Sequence, residues 1–233
     1  MFAERNPDPF DSGNSPAEGT FRGQRAGLSL ASNPLDCKVG EQLHFRSGEL
    51  TGLEVTVNQI ASTRVVVDHQ EYVFADYDLC GPQTESTQHL ADEDGLVRVR
   101  LRTFPNQDGT VEMTVFQAQR LEQGAGWSFE GLSNQPGSAS LRDSDGNFRH
   151  GFTRIDQATQ PYQAERITVG DPLSADGGPA TVAKHAIQYL DYERAARDQA
   201  GTEYTQWGLV EFNPLTGAMI TLFGWDIDPQ SIG

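Results

Sequence analysis

The thirty-one residues from Glu203 to Gly233 constrain the fold more than any other part of the sequence. Two runs rich in aromatic and aliphatic residues flank one turn sequence, Asn213-Pro214-Leu215-Thr216-Gly217. The apolar positions are Tyr204, Trp207, Leu209, Val210 and Phe212 before the turn and Met219, Ile220, Leu222, Phe223 and Trp225 after it. This pattern predicts a buried C-terminal β-hairpin. It indicates an architecture and identifies no reaction.

Strand patterns also fill the first half of the chain. Residues 41–46 and 53–57 alternate between apolar and polar side chains, and residues 64–68 and 71–75 can pair across Asp68-His69-Gln70. The sequence therefore predicts an antiparallel meander. We expect a mainly β fold, with α+β as the open alternative, built from antiparallel meander and hairpin sheets.

A second hairpin is predicted from residues 96–102 and 111–116, which flank a turn at Asp108-Gly109. Arg98, Arg100 and Arg102 project from one face of its first strand, because side chains alternate along a strand. We interpret this row as a solvated outer face that pairs with carboxylates on neighbouring strands. The functional alternative is a site for an anion or an acidic peptide.

The remaining segments divide the chain into an arm and one domain. Residues 1–26 hold three prolines, three glycines and little periodic hydrophobicity, which predicts an extended or disordered arm. Residues 27–233 form the β-rich domain, with a sub-boundary near 123–150, where Gly, Ser and Asn are frequent. Residues 181–197 fit a helix or a strand, and we favour a strand for 186–193.

Three aromatic residues of the arm are the predicted protein-binding positions. Phe2, Phe10 and Phe21 are spaced along it, and an extended arm can dock such rings one at a time on a partner or a neighbouring subunit.

Charge narrows the class of partner. The chain has 33 acidic and 17 basic residues, a formal net charge of −16, and only two of the basic residues are lysines. Nucleic-acid binding and electrostatic binding to anionic lipid are disfavoured, because both need clustered cations. Solubility and a basic protein partner both remain as explanations of the acidity. No secretory signal or long apolar run is present, so we expect a cytoplasmic protein without membrane insertion.

The sequence predicts no metal site and no cofactor. Cys37 and Cys80 lie far apart without further Cys or His at zinc-ligand spacing, and we expect two buried thiols rather than a disulfide. Residues 143–147 resemble the start of a calcium loop, but the closing glutamate is missing, so we predict a turn.

Catalytic candidates are few. The five histidines are dispersed, and no nucleophile elbow or phosphate loop occurs. Asp76, Asp78, His44 and His69 are the candidates around the first meander, since paired carboxylates can perform acid–base chemistry. The alternative interpretation of the carboxylate pairs is an exposed strand edge kept soluble by charge.

The order of features after the arm resembles the bacterial YjfK-like family. The resemblance is carried by Gly27-Leu28-Ser29-Leu30, by Tyr192, Glu203-Tyr204 and Val210-Glu211-Phe212, and by Leu222-Phe223-Gly224-Trp225-Asp226-Ile227 with the final Ile232-Gly233. Residues 72–78 follow the family pattern only loosely. The resemblance implies a cytosolic accessory protein of bacterial membrane-stress operons, and it implies no active-site residues.

These observations favour a non-catalytic accessory or adaptor protein that acts by binding another protein. The alternatives are a structural subunit of a phage particle or another large assembly, and an enzyme of a type that no motif reveals.

Overall fold

The chain folds into one antiparallel sheet that closes on itself. The computed structural model describes residues 24–25, 34–67, 70–105, 110–121, 127–135, 137–142, 147–155, 160–170, 182–197 and 201–233. The strands are β1 Gln24–Arg25, β2 Gln42–His44, β3 Glu54–Val67, β4 Gln70–Pro82, β5 Leu96–Pro105, β6 Val111–Leu121, β7 Ser138–Arg142, β8 Phe148–Arg154, β9 Tyr162–Gly170, β10 Val182–Arg197, β11 Glu203–Phe212 and β12 Met219–Ile227. The described residues also include a short helix α1, Phe129–Ser133, and the 3-10 turns Gln88–Leu90 and Pro229–Ser231. The predicted mainly β fold is confirmed.

Eight strands form a barrel in the order β3, β4, β5, β6, β12, β11, β10, β9. The barrel closes where β9 pairs with β3, with Arg166 opposite Thr63. Closure gives these eight strands a neighbour on each side, which removes the sheet edges that otherwise favour aggregation. An eight-stranded barrel has an interior just wide enough for side chains to fill it or for one small ligand.

The predicted hairpins are confirmed. Strands β3 and β4 pair up to Val67 opposite Gln70, β5 pairs with β6, and β11 pairs with β12. Strand β10 covers residues 182–197 of the region 181–197 that fitted either a helix or a strand, so the strand is confirmed. The hydrophobic period of this segment was ambiguous because apolar residues occur on both faces of the strand. Ile187 and Tyr189 are buried on one face, and Leu190 and Tyr192 are buried on the other.

Two layers cover the outside of the barrel. In the first, Cys37, Phe45 and Leu50 from residues 34–53 pack on outward-facing side chains of β3 to β6, such as Tyr77 and Leu101. In the second, α1 and the β7–β8 hairpin pack on β10 to β12. The second layer contributes Trp127, Phe129, Leu132, Leu141 and Phe152, which meet Leu190, Tyr192, Val210 and Phe223. Much of the predicted sub-boundary region thus shares a hydrophobic core with the barrel.

The end of the predicted arm is attached to the barrel. Gln24 and Arg25 form β1, which pairs with Val73 and Tyr72 of β4. Phe2, Phe10 and Phe21 lie outside the described residues. In the described part of the chain, no helix combines the length and the apolar character needed to cross a membrane.

Candidate functional site

Six charged side chains meet inside the barrel. Three are arginines and three are carboxylates: Arg100 and Arg102 from β5, Arg166 from β9, Asp76 and Asp78 from β4, and Glu211 from β11. All six are buried, with at most 9% of each residue exposed. We call this set the interior ion cluster. Its formal charges cancel.

Two of its ion pairs are cross-strand neighbours. Asp76 lies opposite Arg102 and Asp78 opposite Arg100 in the β4–β5 register. Each arginine makes two parallel bonds: Nε and Nη2 of Arg100 donate to Asp78 at 2.7 and 3.2 Å, and those of Arg102 donate to Asp76 at 2.6 and 3.0 Å. Such bidentate pairs are stronger and more directional than single hydrogen bonds. The alternation of Asp-x-Asp and Arg-x-Arg on neighbouring strands therefore produces two matched pairs on one face.

Glu211 joins these pairs to Arg166. Its Oε2 accepts from Arg100 Nη1 at 2.8 Å and from Arg166 Nη1 at 2.9 Å. Its Oε1 accepts from Arg102 Nη2 at 3.2 Å and from Arg166 Nη2 at 2.6 Å. Glu211 is thus bonded to all three guanidinium groups.

Arg166 completes the cluster from β9. Its Nη2 also donates to Asp76 Oδ2 at 3.0 Å, and its Nε donates to Thr63 Oγ1 at 3.0 Å. The cluster consequently links β3, β4, β5, β9 and β11 across the barrel interior.

The electrostatics of the cluster favour the charged forms of Glu211, Arg100 and Arg102. Burial alone would raise the pKa of Glu211, but the charges of Arg166, Arg100 and Arg102 and the bonds from Arg166 hold this pKa well below its usual range. Burial alone would lower the pKa of Arg100, yet the carboxylates of Asp78, Glu211 and Asp76 raise it. Arg102 also lies 4.1 Å above the ring of Phe74, a cation–π contact.

The structure corrects the interpretation of the arginine row. We expected Arg98, Arg100 and Arg102 on a solvated outer face, and this is wrong for two of them: Arg100 and Arg102 face the interior, with 7% and 3% exposed. Their expected pairing with carboxylates on a neighbouring strand is confirmed. Arg98 is partly exposed and pairs with Asp92 at 3.1 Å.

Of the described catalytic candidates, His44 is not a member of the interior ion cluster that holds Asp76 and Asp78. Asp76 and Asp78 lie in the interior ion cluster, so their interpretation as an exposed solubilising edge is wrong. The side chain of His44 is 44% exposed, and its Nδ1 lies 3.8 Å from Glu54 Oε1. His69 lies outside the described residues. Among the described residues, no three His, Cys, Asp or Glu side chains group into a metal site.

Neither Cys37 nor Cys80 forms a disulfide and both are buried, as predicted. Burial, with the nearby charge of Glu41, raises the pKa of the Cys37 thiol to about 11. Burial likewise raises the pKa of Cys80. Neutral buried thiols are poor nucleophiles and poor metal ligands, so these residues have a packing role.

A concave surface lies at one end of the barrel, outside the interior. It has a volume of about 370 Å³ and lies between residues 47–49 and the facing ends of β11 and β12. It is lined by Ser47, Gly48, Glu49, Thr202, Tyr204, Thr205, Trp225, Asp226, Ile227, Asp228 and Ser231. We call it the end groove. Tyr204 and Thr205 also border a second depression, of about 490 Å³, on the other side of β11.

The end groove forms where two neighbouring strands stop pairing. The β11–β12 register ends with Gln206 opposite Trp225. Beyond that pair, β11 continues to Glu203 against β10, and β12 continues to Ile227 against β6. The strand ends of β11 and β12 thus become the two sides of the groove.

Comparison with protein-family models, with curated proteins and with solved structures found no match for this chain. The resemblance to the YjfK-like family therefore stays a prediction.

Proposed function

We propose that this protein is a non-catalytic accessory or adaptor protein that acts by binding another protein. The observation that carries the proposal is the interior ion cluster. Six buried charged side chains, linked into one hydrogen-bonded network, occupy the space in which ligand-binding barrels of this size hold a small molecule. A partner protein would then bind to the outer surface of the barrel and to the arm.

The attachment of the arm supports this proposal. Pairing of β1 with β4 fixes Gln24 and Arg25 to the wall of the barrel. Phe2, Phe10 and Phe21 precede this attachment point, and they are the aromatic residues that we propose dock on a partner. An aromatic ring buries a large apolar area at low entropic cost, which is why aromatics dominate binding energies.

The proposed setting comes from the resemblance to the YjfK-like family. We place the protein in the bacterial cytoplasm, as an accessory factor of a membrane-stress operon. The high negative charge is compatible with a basic protein partner and disfavours nucleic acid as the target.

The test is affinity capture from native cell extract with tagged full-length protein and with a form that starts at residue 24. The shorter form keeps β1, so its barrel is intact. A full-length variant with Phe2, Phe10 and Phe21 changed to Ser is the matched control, because it removes the rings and keeps the length. We expect one stoichiometric partner that both altered forms lose.

One outcome contradicts the proposal, and another limits the binding site to the barrel surface. Recovery of only the protein itself, in large symmetric particles, identifies a structural subunit. Equal recovery of the partner by all three forms removes the arm from the binding surface and leaves the barrel surface as the binding site.

A further inference from the structure

We infer that the end groove binds an extended peptide segment of a partner protein, and that this segment carries lysine or arginine. The inference rests on the proposed function and adds to it the chemistry of the bound segment and the place where it binds. Three separate features support the inference: the charge of the lining, the geometry of the strand ends and the aromatic residues of the lining.

The lining is acidic and contains no basic residue. Glu49, Asp226 and Asp228 are its ionisable carboxylates, and all three residues are exposed. The interior ion cluster is neutral, so the net charge of −16 is carried by the other ionisable residues of the chain. A cationic segment is thus attracted by the negative charge of the whole protein. The attraction is stronger at the groove, where three carboxylates lie together.

Charge also decides between occupants. The arm is a poor candidate, because residues 1–23 contain four acidic residues, Glu4, Asp8, Asp11 and Glu18, and two basic ones, Arg5 and Arg22. A second copy of the chain brings another net charge of −16, which repels the first. A basic segment of a different protein is the occupant that complements the surface.

The separation of β11 and β12 favours an extended peptide over a helix. One side of the end groove is the end of β11, which still pairs with β10. The other side is the end of β12, which still pairs with β6. An extended chain that enters between them runs alongside strand backbone, which is the geometry of β-strand addition. Main-chain hydrogen bonds then give affinity, and the acidic side chains give selectivity for Lys or Arg.

Tyr204 and Trp225 supply the apolar and aromatic part of the lining, one from each strand. Both are only partly buried, so part of each remains accessible. An arginine or lysine that lies against these rings gains a cation–π contact in addition to its ion pair. Aromatic rings with carboxylates beside them in the same groove therefore select for cationic side chains.

The carboxylates differ in how freely they can be changed. Asp226 Oδ1 accepts from Thr114 Oγ1 at 2.7 Å and from Trp207 Nε1 at 2.8 Å, so this residue also holds β12 against β6 and β11. Asp228 Oδ1 accepts from the Gln230 amide at 2.9 Å, a bond that Asn can replace. Glu49 to Gln is a conservative change at an exposed position. The test therefore changes Glu49 and Asp228 and leaves Asp226 intact.

The experiment measures fluorescence anisotropy of a labelled peptide in which arginine alternates with valine. The full-length protein is compared with Glu49→Gln/Asp228→Asn and with Glu93→Gln/Glu130→Gln, a control that removes two exposed carboxylates outside the groove. A peptide with citrulline in place of arginine keeps the shape and removes the charge. Free spermine as competitor separates a peptide site from a site for small polyamines.

We expect the groove variant to bind the arginine peptide roughly fivefold more weakly than the wild type, since two exposed charge interactions are lost. The control variant should stay within about a factor of two, because it differs from the wild type only in long-range charge. The citrulline peptide should bind weakly to every form, and spermine should compete poorly. Equal weakening in both variants, or no binding of the arginine peptide by the wild type, overturns the inference.

The same variants separate this inference from the proposed function. If extract capture yields a stoichiometric partner that Glu49→Gln/Asp228→Asn retains fully, the groove inference fails and the adaptor function stands. If no form of the protein captures any partner, the adaptor function itself fails.

Discussion

Arg166 reaches past the intervening strand β10 to Glu211, with its Nη2 2.6 Å and its Nη1 2.9 Å from the two carboxylate oxygens. The two residues are 45 positions apart in sequence. Their contact joins the N-terminal half of the barrel, through Asp76 and Thr63, to the C-terminal hairpin. Removal of Glu211 therefore affects three buried guanidinium groups at once.

We predict that Glu211→Gln lowers the free energy of unfolding by about 3–5 kcal/mol, because loss of one member of a buried ion network leaves uncompensated charge in a dry interior. Glu203→Gln on the same strand is the control. Its pair with Arg197 is about two-thirds exposed on both sides, so its removal should cost less than about 1 kcal/mol. Urea titration followed by circular dichroism measures both changes. Equal, small effects would show that the interior charges are not coupled.

A second prediction concerns acid. The pKa of Glu211 is held well below its usual value of 4.5, so its contribution to stability is complete above that value and is lost as the pH falls toward the folded-state pKa. Each proton taken up on unfolding removes about 1.4 kcal/mol per pH unit. We expect the stability gap between wild type and Glu211→Gln to narrow steadily below about pH 4.5. A gap that stays constant from pH 6 to pH 3 (roughly the range in which carboxylates titrate) would contradict this.

Alternation in sequence was sufficient to predict most strands and hairpins, because period-two hydrophobicity is a local property. It could not tell which face of β5 lies inside the barrel. Arginine is normally an exposed residue type, and Arg100 and Arg102 are buried with a carboxylate partner, Glu211, that is far away in sequence. The local signals that could have indicated it were Asp76 and Asp78 at the same two-residue spacing, and the single charge of Glu211 within an apolar run.

The closure of the barrel and the end groove could not be predicted for a related reason. Closure depends on the pairing of β9 with β3, and the two strands have no turn between them to indicate their proximity. The groove depends on where the β11–β12 register stops while each strand continues to pair with its other neighbour, and on residues 47–49, which line it from a distant part of the sequence.

The buried tyrosines predict the response to alkali. Burial, with the charge of Asp191, raises the pKa of Tyr189, and burial raises the pKa of Tyr192 to about 12 and that of Tyr77 further. These groups stabilise the fold fully below the unfolded-state pKa of about 10, and the stabilisation is lost as the pH rises above it. We expect Tyr77, Tyr189 and Tyr192 to ionise, by absorbance at 295 nm (roughly the phenolate band), only together with unfolding. If all six tyrosines ionised in the folded protein, the burial of these three hydroxyl groups would be disproved.

The last prediction concerns two glycines that allow close packing. A Cβ at Gly224 would lie 2.6 Å from the Val115 carbonyl oxygen and 2.5 Å from the Phe116 ring, whereas a Cβ at Gly208 would meet Leu141 at 2.5 Å and the Phe152 ring at 2.8 Å. Backbone cannot move aside as a side chain can, so we expect Gly224→Ala to cost about 3 kcal/mol and Gly208→Ala about 1 kcal/mol. Urea midpoints measure the two losses. Gly208→Ala should in addition loosen the β7–β8 layer selectively. Relative to the wild type, amide hydrogen exchange should then accelerate more at Phe152 than at Leu222. The reverse order of stabilities would mean that the outer layer, rather than the barrel wall, is the more tightly packed part of the protein.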